Sequence, residues 1–190
     1  MGSDGTEREP SRREFLRSLG TAAGATGILG AGTFLPLAAS ATARGRTVSL
    51  RSIHTREETE IVYWRDGRYV PNALATLDRQ LRDHRTGDVH AIDPRLYDIL
   101  VALQDAIGRH GQYEVISGYR SPRTNRLLSA RSSGVAKKSL HMRGLAIDVR
   151  LPGTSLKTLR NAAIDLKAGG VGYYPSSNFI HIDLGRPRSW

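Results

Sequence analysis

Two histidines and an aspartate occur at a spacing that predicts a metal site. His141 precedes Asp148 by seven residues in "SLHMRGLAIDV", and His181 follows that aspartate by 33 residues in "FIHIDLG". Two neutral imidazoles and one carboxylate form a three-ligand set that suits Zn²⁺ and leaves a fourth position for water. Zinc lowers the pKa of such a water to near neutrality, which generates hydroxide without a strong protein base.

The alternative is that these side chains are ordinary residues at the edge of a sheet, as a single histidine on a strand usually is. The remaining histidines are interpreted in this way because none lies in a comparable constellation: His54, His84, His90 and His110.

Strand alternation favours the metal interpretation. A period of two puts Asp148 on the polar face of its strand, and the same rule puts His181 and Asp183 together on one face of theirs. His141 lies in the loop that leads into the first of these strands. Gly144 gives that loop room to bend back toward Asp148, so all four polar side chains are predicted to meet.

The hydrophobic pattern predicts an α+β fold, an antiparallel sheet packed with helices. Apolar stripes at helical spacing predict helices over residues 72–81, from 94 to 107, 124–130 and 156–166. Short alternating segments predict strands over residues 48–53, 60–64, 113–117, 145–151, 171–174 and 179–185. An Asp-Gly turn in "WRDGRYV" predicts a hairpin near the start of the domain.

The first 43 residues have the pattern of an export signal. Arg12 and Arg13 precede an uncharged stretch rich in Ala, Gly and Leu, and Ala41-Thr42-Ala43 resembles a cleavage site. A membrane helix over residues 19–43 is the alternative, but so many Gly, Ala and Thr make that stretch weakly apolar. We therefore predict a twin-arginine export signal over 1–43, a folded domain over 44–190 and no membrane span after processing.

Net charge and cysteine content limit the partners and the chemistry that the predicted domain can have. The chain has 28 basic and 18 acidic residues, and the signal segment contributes equally to both, so the net charge of +10 belongs to the predicted domain. For an exported domain, the carboxylates and phosphates of a cell envelope are more plausible polyanions than nucleic acid. The absence of cysteine excludes disulfides, thiolate chemistry and Cys-ligated zinc.

The pattern Ser-x-His-x-x-Gly-x-Ala-x-Asp over residues 139–148, with a later His181-x-Asp183, resembles the zinc peptidases that cut D-amino-acid bonds in bacterial cell walls. That superfamily includes D-alanyl-D-alanine carboxypeptidases, murein endopeptidases and the hedgehog signalling domain that shares their fold. "SGYRSP" is a second motif of the superfamily, and together with "YWRDGRYV", "LRDHRTG" and "GGVGYYP" it makes the chain similar to an exported murein endopeptidase-like subgroup.

The resemblance implies a role for individual residues. His141, Asp148 and His181 would be the zinc ligands. Arg120 of "SGYRS" would bind the substrate carbonyl or carboxylate and stabilise the developing oxyanion. Ser139 would hold either the substrate or the ligand loop.

One departure concerns the general base. Members of the superfamily place a glutamate three residues before the last zinc histidine, whereas this chain has Asn178 there. The nearest carboxylate on the same predicted face is Asp183. Two roles are open to it: it acts as the base itself, which is the role we predict, or it orients His181.

Three functions remain from the sequence. The first is a zinc-dependent murein endopeptidase that hydrolyses peptide cross-links in peptidoglycan, with carboxypeptidase trimming as a variant. The second is a non-catalytic peptidoglycan-binding domain in which zinc is structural. The third is an exported basic domain that binds no metal.

Overall fold

The computed structural model describes residues 45–132, 134–167 and 169–190. The predicted export signal over 1–43 lies outside the described residues. None of the helices in the described part of the chain is both long enough and apolar enough to cross a membrane.

The described elements follow the predicted order closely. The strands are β1 Arg46–Ser52, β2 Glu58–Arg65, β3 Arg68–Tyr69, β4 Tyr113–Ser117, β5 Ala146–Arg150, β6 Gly170–Tyr174, β7 Phe179–Asp183 and β8 Arg188–Ser189. The α-helices are α1 Pro71–Gln80, α2 Arg95–Ile107, α3 Pro122–Arg131 and α4 Leu156–Asp165, and short 3₁₀ helices cover Leu140–Arg143 and Pro175–Ser177.

The described strands form one sheet in the order β3-β2-β1-β4-β5-β7-β6-β8. The α+β prediction is confirmed, but the sheet is mixed rather than wholly antiparallel. β1 pairs with β4 in parallel, and β6 pairs with β8 in parallel. The first parallel pair arises because α1 and α2 lie between β1 and β4 in the chain, which gives the crossover that parallel pairing requires.

The hydrophobic core joins the helices to one face of the sheet. Ile147 and Val149 of β5 and Ile180 and Ile182 of β7 are almost fully buried in it. From the helices, the core takes the predicted stripe of α2 and one side of α1 and α4. Because side chains alternate along a strand, the polar residues between these isoleucines and valines face the other side of the sheet.

Local signals fix the helix that follows "SGYRSP". Ser121 is the N-cap of α3 and its side chain accepts a hydrogen bond from the Thr124 amide, while Pro122 occupies the first turn. This is the favoured arrangement for a helix start, and replacing such a cap by alanine costs about 1 kcal/mol. The chain therefore turns sharply after β4, and Arg120 lies in that turn.

Candidate metal centre

The predicted ligands converge on one point. His141 Nε2 lies 3.1 Å from Asp148 Oδ1 and 3.1 Å from His181 Nδ1, and His181 Nδ1 lies 2.8 Å from the same carboxylate oxygen. These three residues form a group that could hold a metal ion.

Strand register brings two of the three side chains together. β5 and β7 are antiparallel neighbours, and Asp148 is directly opposite His181 in their register. Side chains opposite each other in an antiparallel pair lie on the same face with their Cβ atoms about 5 Å apart. The predicted common face of the two strands is therefore observed.

His141 is held by the loop around it. Ser139 caps the 3₁₀ helix Leu140–Arg143, accepting a hydrogen bond from the His141 amide at 3.3 Å. Gly144 ends this helix with φ of 66°, and a Cβ atom there would lie 2.0 Å from the Ala91 carbonyl oxygen. Only glycine fits this position, which confirms that Gly144 lets the chain turn back toward Asp148.

The outer nitrogen of each imidazole has a partner that fixes its tautomer. His141 Nδ1 donates to the Gly118 carbonyl at 2.7 Å, and His181 Nε2 donates to Asp183 Oδ2 at 3.0 Å. The lone pairs of His141 Nε2 and His181 Nδ1 therefore point at Asp148. Metal-ligating histidines show this pattern, because the outer hydrogen bond orients the ring and makes it a stronger ligand.

Burial and charge favour a neutral His141 and an ionised Asp148, the protonation states in which these side chains bind a metal. Burial lowers the pKa of His141 below its usual value, which keeps the imidazole neutral. Burial would raise the pKa of Asp148, but His141 and His181 outweigh it through charge and hydrogen bonds, so the pKa is depressed. For His181, burial opposes the two carboxylates it contacts, and the carboxylates raise its pKa.

The donor set fits zinc. With zinc–nitrogen bonds of about 2.0–2.1 Å and tetrahedral angles, ligand atoms would be separated by about 3.3 Å. The observed separations of 2.8–3.1 Å are slightly shorter, so a small outward movement would accommodate the ion. Three protein ligands leave a fourth direction free, as in catalytic zinc sites.

Arg120 contacts the ligand cluster directly. Its Nη2 pairs with Asp148 Oδ2, the carboxylate oxygen not shared with the histidines, and its Nε donates to Ser117 Oγ at 2.9 Å. The Arg120 amide also donates to the His141 carbonyl at 3.2 Å. Arg120 Nη1 has no hydrogen-bond partner among the described residues, and the side chain lines the cavity above the cluster.

The turn that carries Arg120 is anchored by Asp83 of "LRDHRTG". Asp83 is buried, and its carboxylate accepts from the amides of Ser121 and Arg85. Burial raises the pKa of Asp83, but the nearby Thr124 hydroxyl and these amides outweigh it and lower the pKa to about 2. Close packing adds to the constraint, because a Cβ atom on Gly118 would lie 2.5 Å from the Leu81 carbonyl oxygen.

Asp183 lies behind His181 rather than beside the centre of the cluster. Its carboxylate is fully buried and accepts from His181, from the amides of Gly170 and Gly185, and from both terminal nitrogens of Arg188. These contacts lower its pKa well below the usual range, against the effect of burial. The geometry favours the orienting role for Asp183 over the base role that we predict from the sequence.

Asn178 follows the second 3₁₀ helix in a left-handed conformation, with φ of 53° and ψ of 52°. Asparagine adopts this conformation more readily than glutamate, because its short polar side chain can bond locally. Backbone geometry therefore gives a reason for asparagine where the superfamily has its glutamate.

A cavity of about 270 Å³ opens above the cluster. Three aromatic side chains line one of its sides. Tyr174 stacks on Phe179 at 4.7 Å between ring centroids and accepts a hydrogen bond from Trp190 Nε1 at 2.9 Å. Trp190 in turn lies 5.4 Å from the His181 ring. Residues of the segment 134–139 line another side. Asn125 of α3 holds this segment, since its Nδ2 donates to the carbonyls of Ala136 and Lys137.

Sequence reasoning missed several residues that support the site. Arg188 and Trp190 lie in β8 and just beyond it, past the last predicted strand, and the run "GRPRSW" of cations and an aromatic residue was the available signal. Asp83 lies in a motif that carried the resemblance, but no pattern assigned it a role. Asn125 gave no signal, because its partners are backbone carbonyls.

The family follows from comparison with known proteins. Residues 40–190 match the family described as peptidoglycan L,D-endopeptidase MepK. The chain belongs to this family. The match spans all the described residues, so the ligand cluster, Arg120 and Asp183 all lie in the MepK-family domain.

Curated relatives agree with the MepK assignment. The peptidoglycan L,D-endopeptidase MepK of Escherichia coli K12 is 44% identical over 183 residues, which cover 96% of this chain and 98% of the relative. The probable peptidoglycan L,D-endopeptidase MepK of Haemophilus influenzae is 42% identical over 155 residues, covering 81% and 83%. No solved structure gave a significant match.

Proposed function

We propose that this protein is a zinc-dependent endopeptidase that hydrolyses L,D peptide cross-links in peptidoglycan. The observation that carries the proposal is the convergence of His141 Nε2, Asp148 Oδ1 and His181 Nδ1 below an open cavity. The family supplies the substrate class, since its relatives are named for this reaction.

His141, Asp148 and His181 would hold the ion. When bound, zinc would supply Lewis acidity, which lowers the pKa of water and polarises a carbonyl group. The buried positions of His141 and Asp148 keep these ligands rigid and exclude bulk water from behind the cluster. The reacting bond would therefore enter from the cavity side.

Arg120 would stabilise negative charge that develops on the substrate carbonyl oxygen. Its Nη2 is engaged with Asp148, which fixes the guanidinium, its Nη1 has no hydrogen-bond partner among the described residues, and the side chain lines the cavity. A cation fixed before the reaction costs no reorganisation when charge develops, and this is why such groups contribute strongly to rate. Ser139 supports the same site by capping the helix that presents His141.

Asp183 would orient His181 and strengthen it as a ligand. Its two oxygens are held by Arg188 and backbone amides, so His181 Nε2 meets a fixed acceptor. The two carboxylates that line the cavity among the described residues are Asp148 and Asp183, one a proposed ligand and the other behind His181. Neither is a free proton acceptor.

Asn178 keeps a second candidate function open, a zinc-containing domain that binds peptidoglycan without cleaving it. An amide at the usual glutamate position cannot take a proton. This candidate predicts the same ligand cluster and the same affinity for the cell wall, but no turnover.

The proposed site of action is the cell envelope. The twin-arginine pattern before residue 44 supports export, and the net charge of +10 suits the carboxylates and phosphates of a cell envelope. A fusion of residues 1–43 to a reporter that is active only after twin-arginine export tests this part of the proposal.

Mass analysis of muropeptides tests the activity. Purified protein is incubated with peptidoglycan, zinc-loaded and chelator-treated side by side. Zinc-dependent loss of L,D-cross-linked dimers, with products of the corresponding monomer masses, is the expected result. Intact dimers beside a protein that retains zinc and sediments with peptidoglycan would replace the endopeptidase with the binding domain.

A further inference from the structure

The net positive charge of the domain is concentrated in one part of the chain. Residues 45–114 contain ten basic and eleven acidic residues, so their charges nearly cancel. Residues 115–147, which include α3, contain seven basic residues and no acidic one. The proposed function uses one of these seven, Arg120, and leaves the others without a role.

The helix α3 presents its cations on one face. Successive residues of an α-helix are rotated by about 100°, so Arg123, Arg126, Leu127 and Arg131 lie on a single side about 140° wide. All four are exposed, whereas Asn125 on the opposite side of the helix is buried. None of the three arginines forms an ion pair with a described residue. Their charges are therefore available to a partner outside the chain.

Two exposed lysines lie in the segment beside α3. Asn125 Nδ2 donates to the carbonyls of Ala136 and Lys137 at 3.1 Å each, which ties this segment to the helix. Lys137 and Lys138 also lack an ion-pair partner within residues 45–132, 134–167 and 169–190. We use the term cationic surface for the exposed residues Arg123, Arg126, Leu127, Arg131, Lys137 and Lys138.

A leucine among these cations distinguishes between possible partners. Leu127 is 50% exposed, directly follows Arg126, and lies one helical turn from Arg123 and from Arg131. A soluble polyanion pairs with cations but gains nothing from an exposed hydrocarbon side chain. An anionic bilayer has phosphates at its surface and acyl chains just below them, so it accommodates both kinds of side chain. The combination therefore favours a bilayer.

We propose that the cationic surface binds an anionic phospholipid bilayer, with α3 parallel to the membrane plane. The arginines and lysines contact lipid phosphates, and Leu127 enters the boundary between headgroups and acyl chains. The segment 134–139 lines the catalytic cavity, so binding in this way would hold that cavity close to the membrane. This interaction goes beyond the proposed function, and it depends on neither zinc nor cleavage.

Sedimentation with lipid vesicles tests the proposal. Protein recovered after export is mixed at low ionic strength with vesicles of phosphatidylglycerol and phosphatidylcholine in equal amounts, or of phosphatidylcholine alone. Binding is expected only to the anionic vesicles, and added salt should weaken it by screening the charges. Each cation near an anionic surface raises the partition coefficient by about fivefold, so the combined variant Arg123→Gln, Arg126→Gln and Arg131→Gln should bind about 100-fold more weakly.

The matched control combines Arg65→Gln, Arg68→Gln and Arg79→Gln. These exposed arginines lie on β2, β3 and α1 and have no ion-pair partner in the described part of the chain. The control removes the same charge as the α3 variant and is expected to retain most of the binding. An equal loss in both variants, or equal binding of the wild type to neutral vesicles, would overturn the proposal.

Leu127→Gln separates a bilayer from a soluble polyanion. It is expected to weaken vesicle binding by about three- to tenfold, because half of a leucine side chain no longer leaves water, and to leave binding of soluble polyphosphate unchanged. Leu166→Gln, at a leucine that is 37% exposed after α4, should bind vesicles like the wild type. Binding of polyphosphate or peptidoglycan through the α3 arginines, without binding of anionic vesicles, would refute the bilayer. A failure of the endopeptidase alone would leave all these results unchanged.

Discussion

Asp183 accepts a hydrogen bond from the Nε2 of His181, on the opposite side of the ring from the nitrogen that faces Asp148. A carboxylate in this position contacts the ring nitrogen that faces away from the other two proposed ligands. It can set the direction and basicity of the ligand, which is the arrangement found behind many metal-bound histidines.

Replacement of a ligand should abolish zinc binding. His181→Ala removes one of three donors, so its zinc affinity is expected to fall by more than the roughly 10–100-fold that loss of an outer partner costs. Zinc per chain after dialysis against a weak chelator measures this. His110→Ala, an exposed histidine far from the ligand cluster in the sequence, is the control and should retain zinc. Full zinc occupancy in His181→Ala would refute the ligand set.

The Arg188–Asp183–His181 chain should act on metal affinity and turnover together. Arg188→Ala and Asp183→Asn are each expected to weaken zinc binding by about 10–100-fold. The zinc affinity of Arg188→Lys should lie between that of these variants and that of the wild type, because an ammonium group keeps the charge but cannot reproduce a two-point contact. Zinc titration followed by assay at saturating zinc is the measurement, with exposed Arg186→Ala as control. If Asp183→Asn kept its zinc affinity but lost all turnover at saturating zinc, Asp183 would be the base after all.

Arg120 should affect turnover even at saturating zinc, beyond the weaker zinc binding expected when Asp148 loses an outer partner. Arg120→Gln is expected to lower kcat by about 10²–10³-fold, the usual effect of removing a group that stabilises an oxyanion. Steady-state kinetics on a cross-linked dimer, with zinc content measured on the same sample, tests this. Arg123→Gln, an exposed arginine three residues along the chain, serves as the comparison. An unchanged kcat would remove Arg120 from the mechanism.

Asp83 should make folding stability depend on acid pH. Its pKa of about 2 lies below the ordinary 3.8, so the folded state favours the ionised form. The stabilisation is present above about pH 4 and is lost as the pH falls toward 2, a contribution of about 2 kcal/mol. Urea unfolding of wild type and Asp83→Asn from pH 2 to 7 should show a difference that shrinks at low pH. A difference that is constant with pH would mean that Asp83 acts through packing alone.

Periodicity predicted most of the fold because the signals were local. The helical patterns of α2, α3 and α4 and the alternation of β5 and β7 all depend on neighbours within a few residues, and their bounds were predicted to within one or two positions. The parallel pairing of β1 with β4 could not be predicted in this way, because it depends on how two intervening helices pack.

The site was predictable to the same extent. Alternation put Asp148, His181 and Asp183 on one face, which the register confirms. Alternation did not reveal that the Asp183 carboxylate turns behind the ring, since this depends on Arg188 and on the amides of Gly170 and Gly185. Those contacts come from another strand and from turns, so the sequence pattern of β7 alone cannot predict them.

The two-residue strand β8 couples the site to one end of the sheet. It forms an outer edge, pairs with β6 alone, and carries the arginine that holds Asp183. Short edge strands open by local fluctuation at a lower free energy than the core. Each such opening would release Asp183 and loosen His181, so the affinity for zinc would depend partly on how often this edge opens. Slower amide hydrogen exchange at Tyr173 and Trp190 would then accompany zinc loading, although neither residue is a proposed ligand.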